Sequence, residues 1–588
     1  MPEDIENVRS WVEATESGDI SVLEQLLDVG FDIDYKVDFP KPGEILEDWN
    51  GAPAVVLEID LAWDGVPGIV HAAKWGQISA VRFLLERGAD VDNVNDTAYN
   101  IGSALLKASE AGHLEMVKLL LARGAKTDAV KVFQGTTTPL AAVAGLYPQE
   151  VKEQHREIII LLLDAGSDIN AEDQNSKTAL TLAVERGDMD LIKLLLGRGA
   201  DVNHRAYSTR GNSALDEAAF NGRLDIVQLL MDGGAELKHE TRGFTSLHRA
   251  SAWGRLEVMK LLLRSGAAAE AAETDQTTSL HEAASGGSTK AIKLLLDNGF
   301  NIEAKSTEGC QTPLLQAADS VWAAAVELLL DCGANINAQD RHSETALHHA
   351  THLLNVKDYR NRHHNIQILR SLASRGADVN IPDHAGRTVL QAAIQCWEAP
   401  CRPSKANTTI ASARNAFINK PDFEAVKLFL AHGAEVNAKD TEGATALHRA
   451  AHEWNIAIIE LLLSAEADLE VRKVDGGTPL FETVCFVHAR AGWRRSLEWT
   501  AAPTIEFLLK AGANFNARMA NGKTVLHVLV EGHEEMGSVT SREDREVVTL
   551  LLDYGVDFGA VDDEGQTALM TAERIGKQDI AQLLKDRM

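Results

Sequence analysis

A chain of 588 residues, 45% apolar and 24% charged, has the composition of a soluble globular protein and is long enough for several domains. Its formal net charge of −29 argues against nucleic acid and anionic membrane surfaces as partners of the body, and leaves a basic protein partner as the natural electrostatic match. No apolar run approaches the roughly 18 residues of a membrane-spanning helix, and the acidic, polar start MPEDIENVRS does not read as a signal peptide. Five unpatterned cysteines (Cys310, Cys332, Cys396, Cys401, Cys485) suit a reducing compartment, the cytosol or nucleus.

In chain order, residues 1–34 hold two short helical patterns, 8–17 and 22–27, ended by Gly30, and are expected to be a degenerate N-terminal capping repeat. Residues 35–65 follow as an insertion. Within it Leu57, Ile59, Leu61 and Trp63 alternate with Glu58, Asp60 and Ala62, which predicts a strand in an enlarged hairpin. From 66 to 340 one sentence recurs, clearest over 240–270. A polar turn leads to Thr245-Ser-Leu-His248 and a short helix of small residues. Gly254 breaks that helix, a more apolar second helix follows, and Gly266 ends it. The helix-ending glycines 166, 199, 234, 266, 299 and 333 are spaced 33, 35, 32, 33 and 34 residues apart. One longer unit carries an extra stretch near 147–155 between its helices. Over 341–563 the sentence continues with inter-helix insertions at about 353–365, 396–422, 486–501 and 532–545, which stacking would gather along one edge. Glu466 stands where the sister units have the helix-ending glycine. Residues 564–588 keep Gln566-Thr-Ala-Leu569 and a polar second helix, as a C-terminal cap should.

Thr-x-Leu-His, a small-residue helix, a Gly, an Ile/Val-x-x-Leu-Leu-Leu helix and Gly-Ala-Asp-x-Asn together resemble the ankyrin repeat. The best copies are Thr345-Ala-Leu-His348 after Gly333-Ala-Asn-Ile-Asn337, and Thr445-Ala-Leu-His448 after Gly433-Ala-Glu-Val-Asn437. The resemblance implies an all-α solenoid of about 14–15 β-turn/helix/helix units with loop and hairpin insertions. It also implies a non-catalytic scaffold that binds other proteins on its concave face, and local hydrogen bonding for the motif histidines His248, His281, His348, His448 and His527.

In such arrays the residues just before the inter-helix glycine, with the turn tips, form the partner-facing surface. Here they supply Trp75, Phe220 and Trp253, with Tyr207, Arg242 and Phe244 in the neighbouring turns. Aromatic residues with arginine are the composition of interface hot spots. A second candidate is the insertion edge. Its three longest basic stretches carry ten positive against four negative residues, among them Arg360, Arg362, Arg402, Lys405, Arg490, Arg494 and Arg495. That edge would suit an acidic peptide or phosphate, or the array's own acidic flank.

No phosphate loop, dinucleotide turn, zinc-protease motif or nucleophile elbow occurs, so the sequence assigns no catalytic residue, cofactor or metal. The best enzyme alternative is a site assembled by the C-terminal insertions around His348, His352 and His363. His348 and His352 share one helix face, with no carboxylate or Cys evident to complete a ligand set. A further alternative is a regulatory or sensor segment in signalling.

Overall fold

The computed structural model describes residues 2–33, 46–47, 53–54, 67–93, 102–128, 130–132, 135–146, 153–206, 212–237, 245–267, 277–307, 309–355, 359–394, 421–485, 501–531 and 542–587. Among them the chain forms fifteen successive helix pairs, in two compact parts, residues 1–274 and 275–588. The first part holds seven pairs, from Pro2–Ser17 with Ile20–Asp28 to Ser246–Ala252 with Leu256–Arg264. The second holds eight, from Ser279–Ser285 with Thr289–Asp297 to Ala568–Ile575 with Gln578–Lys585. Strand is confined to three two-stranded ribbons, Leu46–Glu47 with Pro53–Ala54, Val130–Val132 with Gly135–Thr137, and Arg205–Ala206 with Asn212–Ser213.

Each pair follows from local chemistry. A Ser or Thr opens most first helices. The side chains of Ser103, Thr138 and Thr178 accept the amide hydrogens of Leu106, Ala141 and Thr181, which would otherwise lack partners. Alanine and serine fill these helices, so consecutive first helices approach closely, and Ala250 and Ser251 are fully buried. The second helices bury one apolar stripe, such as Ile192 and Leu195 or Val227 and Leu230. The chain then turns back with positive φ. Glu466 takes that conformation at φ 66°, which accounts for its place in the glycine register.

The motif histidines are staples between units. In each of the five, Nδ1 lies within 2.8–3.3 Å of the motif threonine's backbone N–H and Oγ1. Nδ1 therefore accepts, and Nε2–H donates onward. It reaches the carbonyl of Gln311 from His281, Arg387 from His348, Gly477 from His448 and Gln566 from His527. Two units run the same circuit with other chemistry. Gln391 accepts from Thr388 N–H and donates to the Ala438 and Ala444 carbonyls, while the fully buried Asp216 accepts from Ser213 and Ser246.

Burial favours the neutral form of three of these rings: His281 and His448 fall below the ordinary value of 6.5, and His348 to about 4. A folded value below the unfolded one means that the unfolded chain binds more protons between the two. Stability is therefore complete above about pH 6.5 and is lost as pH falls toward 4, by up to about 1.4 kcal/mol per pH unit for each ring. The urea midpoint should drop between pH 7.5 and 5, and His281→Gln, copying Gln391, should reduce that slope. A pH-independent midpoint in the parent chain would contradict this account.

Two further ladders join the units. Asn170, Asn203, Asn337, Asn380 and Asn437 accept a backbone N–H from the following unit at 2.8–2.9 Å, which is what the Asn of Gly-Ala-Asp-x-Asn does. In the second part the turn tips hydrogen-bond one to the next. His384 N–H donates to His342, Thr441 to Ala385, Val474 to Glu442, Ala520 to Asp475 and Asp563 to Asn521.

Several boundaries differ from the sequence reading. The first helix begins at Pro2 rather than residue 8. The hairpin in the N-terminal insertion pairs Leu46–Glu47 with Pro53–Ala54, while the alternating stretch 57–63 lies outside the described residues. Helix Glu153–Asp164 takes in His155, which is buried, so the extra stretch there ends earlier. Helix Tyr359–Ser374 occupies most of the expected insertion at 353–365, and helix Arg542–Asp553 starts inside the one at 532–545. A helical second element there continues the apolar stripe (Ile368, Leu369, Leu372) toward its N-terminus with polar residues, a pattern that reads as loop.

Candidate partner-binding face

The C-terminal ends of the first helices carry side chains that the packing leaves free. Trp75 and Trp253 follow Gly68–Lys74 and Ser246–Ala252, and are 51% and 59% exposed. Trp253 meets Phe220 of the preceding unit edge-on, with ring centroids 5.1 Å apart and planes at 69°. Such a pair keeps one ring face open while fixing its orientation. The Lys74 ammonium sits 5.5 Å from the Trp75 ring centroid, within range of a cation–π attraction. The structure thus brings Phe220 and Trp253 together as the repeat register predicts. Tyr207, Arg242 and Phe244 lie outside the described residues.

Sequence reading missed Trp322, 47% exposed, which begins helix Ala323–Asp331. Its Nε1–H donates to the Ser285 carbonyl at 2.6 Å, and its ring covers Gly287 so closely that a Cβ there would overlap it. The same position carries other donors elsewhere. Gln77 reaches the Glu16 carbonyl, His113 that of Lys74, Arg223 that of Val184 and Arg255 that of Phe220, all at 2.7–3.0 Å. Each gives a side-chain donor to a carbonyl at the end of the previous unit's first helix, where the ladder of helical donors runs out. The signal is a donor in the residue immediately after the positive-φ turn residue, as in Gly76-Gln77, Gly254-Arg255 and Val321-Trp322. Its chemistry varies from Gln to Trp, so no motif reveals it.

On the basic edge, Arg360 and Arg362 fall on helix Tyr359–Ser374, with side chains outside the described residues, as do Arg402, Lys405, Arg490, Arg494 and Arg495 altogether. Around the histidines expected to form an enzyme site, His348 spends both ring nitrogens on the staple and has no lone pair to offer. The His363 side chain lies outside the described residues. The buried ring that gathers partners is instead His349. Its Nδ1 lies 3.3 Å from Asp319 Oδ1 and its Nε2 3.3 Å from Asp340 Oδ2, while His352 Nδ1 stands 3.9 Å from Glu344 Oε1. This corrects the expectation that no carboxylate completes the set, because Asp319 and Asp340 come from the preceding helix and the turn rather than the histidine helix. Burial alone would lower His349, yet Asp319, Asp340 and Glu344 hold it above its ordinary value.

Comparison with known proteins agrees with this architecture. Family models for ankyrin repeats match residues 69–121, 149–241, 236–306, 280–383, 412–490 and 500–587. An ankyrin repeat protein of Fowlpox virus is 36% identical over 135 residues, 23% of this chain and 28% of that protein. The mouse B-cell lymphoma 3 protein homolog is 28% identical over 180 residues, 29% of this chain and 39% of its own length. An L-asparaginase of Dirofilaria immitis is 26% identical over 220 residues, 37% of this chain and 29% of that protein. The chain thus spans well under half the length of these relatives. Among the described residues no helix is long and apolar enough to cross a membrane. With family models covering most of its length and the stapled helix pairs seen throughout, the chain belongs to the ankyrin repeat family.

Proposed function

We propose that the chain is a non-catalytic scaffold that binds a protein partner through the face lined by the C-terminal ends of its first helices. The observation that carries this reading is the pair of half-exposed tryptophans, Trp75 and Trp253, at one register position, the second held edge-on by Phe220. A half-exposed Trp offers a partner a large rigid anchor, the kind whose truncation costs about 2 kcal/mol or more of binding. The net charge of −29 favours a basic surface on that partner. Cytosol and nucleus are the compartments in which five scattered cysteines stay reduced. Nucleic acid is not an expected ligand.

The test is cross-linking of the tagged chain in its native cells, beside a Trp75→Ala/Phe220→Ala/Trp253→Ala variant of unchanged circular dichroism. The variant should lose the principal cross-linked protein by at least about tenfold, the equivalent of roughly 1.4 kcal/mol. Equal cross-linking of the two chains would sink the assignment of this face.

A further inference from the structure

Two pairs of positions can clamp the turn to the first helix, and four sister units each fill one of them with a permanent ion pair. Five residues before the motif threonine and four after it, Asp440 pairs with Arg449 at 2.7 Å, and Lys473 with Glu482 at 2.8 Å. One before and seven after it, Lys177 pairs with Glu185 and Lys523 with Glu531, at 2.8 and 2.7 Å. In the unit of Thr345 both clamps are histidine with carboxylate, Asp340 with His349 and Glu344 with His352. A third carboxylate, Asp319, is added from the preceding unit. Among the described residues no Lys or Arg pairs with any of these three carboxylates.

The atoms converge. One ligand atom from each of Asp340, Glu344 and His349 lies within 4.8 Å of the others. Asp340 Oδ1 is already occupied by the amides of His342 and Glu344, at 2.7 and 2.9 Å, so the turn holds the carboxyl still and presents Oδ2 to the ring. His349 faces a carboxylate on each edge, an arrangement that favours the protonated ring, and a metal ion at Nε2 displaces one of its two N–H protons. With the other hydrogen on Nδ1, donated to Asp319, the Nε2 lone pair points between Asp340 and Glu344. A carboxylate that fixes the tautomer of a ligating histidine is the usual companion of a metal site. A mixed nitrogen and oxygen set of this kind suits zinc and its neighbours over magnesium or calcium.

We propose that Asp340, Glu344 and His349 bind one divalent transition-metal ion of the zinc class, with Asp319 orienting the His349 ring. The ion takes the place of the Lys or Arg that closes the clamp in the sister units, and ties the turn to the helix in this one. His348 takes no part, since both its nitrogens belong to the inter-unit staple.

The test titrates zinc chloride into the full chain at pH 7.5 and counts bound zinc by equilibrium dialysis. The comparison chain is His349→Arg, which copies the Arg449–Asp440 pair and so keeps the clamp closed without metal. The parent should bind one more equivalent at micromolar zinc than the variant, and zinc should raise the parent's melting temperature further. Asp319→Asn should weaken that equivalent about tenfold while leaving it present. Magnesium chloride should give no difference between the chains. Equal zinc stoichiometry in parent and His349→Arg overturns the proposal, as does a site that magnesium fills equally well. Should His349→Arg prove unfolded by circular dichroism, Glu344→Gln replaces it under the same two criteria.

Discussion

Trp11→Ala should release the N-terminal helix pair from the array, at a cost of about 3–5 kcal/mol, the range for emptying a buried tryptophan site. Trp11 is 0% exposed. Its ring stacks at 5.0 Å on Phe31, beyond its own unit's second helix, and lies against Gly68 at the start of the next unit. An added Cβ at residue 68 would come within 2.7 Å of Trp11 Nε1, so glycine there is what lets the indole seat. In a repeat array stability is roughly a sum of units and their interfaces, and this ring lies in the interface between the first two helix pairs. Removing the main side chain of that interface should therefore detach the pair locally. Hydrogen exchange reads this directly: protection over residues 2–33 should vanish while that of helix Ala104–Ala111 persists. Gly68→Ala should reproduce the pattern from the other side of the contact. Retained protection over 2–33 in both variants would show that the pair is held by something other than this ring.

Gly476→Ala should cost about 2–4 kcal/mol, far more than alanine at the matching turn glycine, Gly565. Both have positive φ, 83° and 73°, a conformation that penalises a Cβ by about 1–2 kcal/mol. Only at 476 is there also an obstacle. A Cβ there would stand 2.5 Å from Ala520 N and 2.9 Å from Met519 C, both backbone atoms with no rotamer to retreat into. The clash falls on the tip ladder, where Ala520 N–H donates to the Asp475 carbonyl at 2.8 Å. Around Gly565 nothing lies within 4 Å, so its replacement pays the dihedral cost alone. Parallel urea titrations of the two variants, with exchange of the Ala520 amide, decide the matter. Equal losses would mean that the tips are not in contact as described.

The parts of the fold legible in the sequence are those written as fixed residues at fixed spacing. Thr-x-Leu-His announces both the cap and the staple, because one imidazole has the two nitrogens the circuit needs. The unit count and the helical content follow from the glycine register. What could not be read are pairings between units in which the roles, not the residues, repeat. Gln391 and Asp216 run the histidine circuit without histidine, and Gln77, His113, Arg255 and Trp322 serve one carbonyl position with four chemistries. The same holds at the candidate sites. Phe220 and Trp253 meet because both lie at a register position, whereas Asp319 and Asp340 reach His349 across 30 and 9 residues of sequence.

The donors that begin the second helices give the array a direction. Each reaches backward, from a unit to the carbonyls of the one before it. A chain shortened from its N-terminal side leaves such a donor unused, and also takes the histidine donor from a carbonyl of the unit that remains, as His281 serves Gln311. A chain shortened from its C-terminal side strips the last remaining unit of the side-chain donor at the end of its first helix. Removing a unit therefore costs different groups at the two ends of an array: a side-chain donor to a helix-end carbonyl at one, a histidine donor to a turn carbonyl at the other.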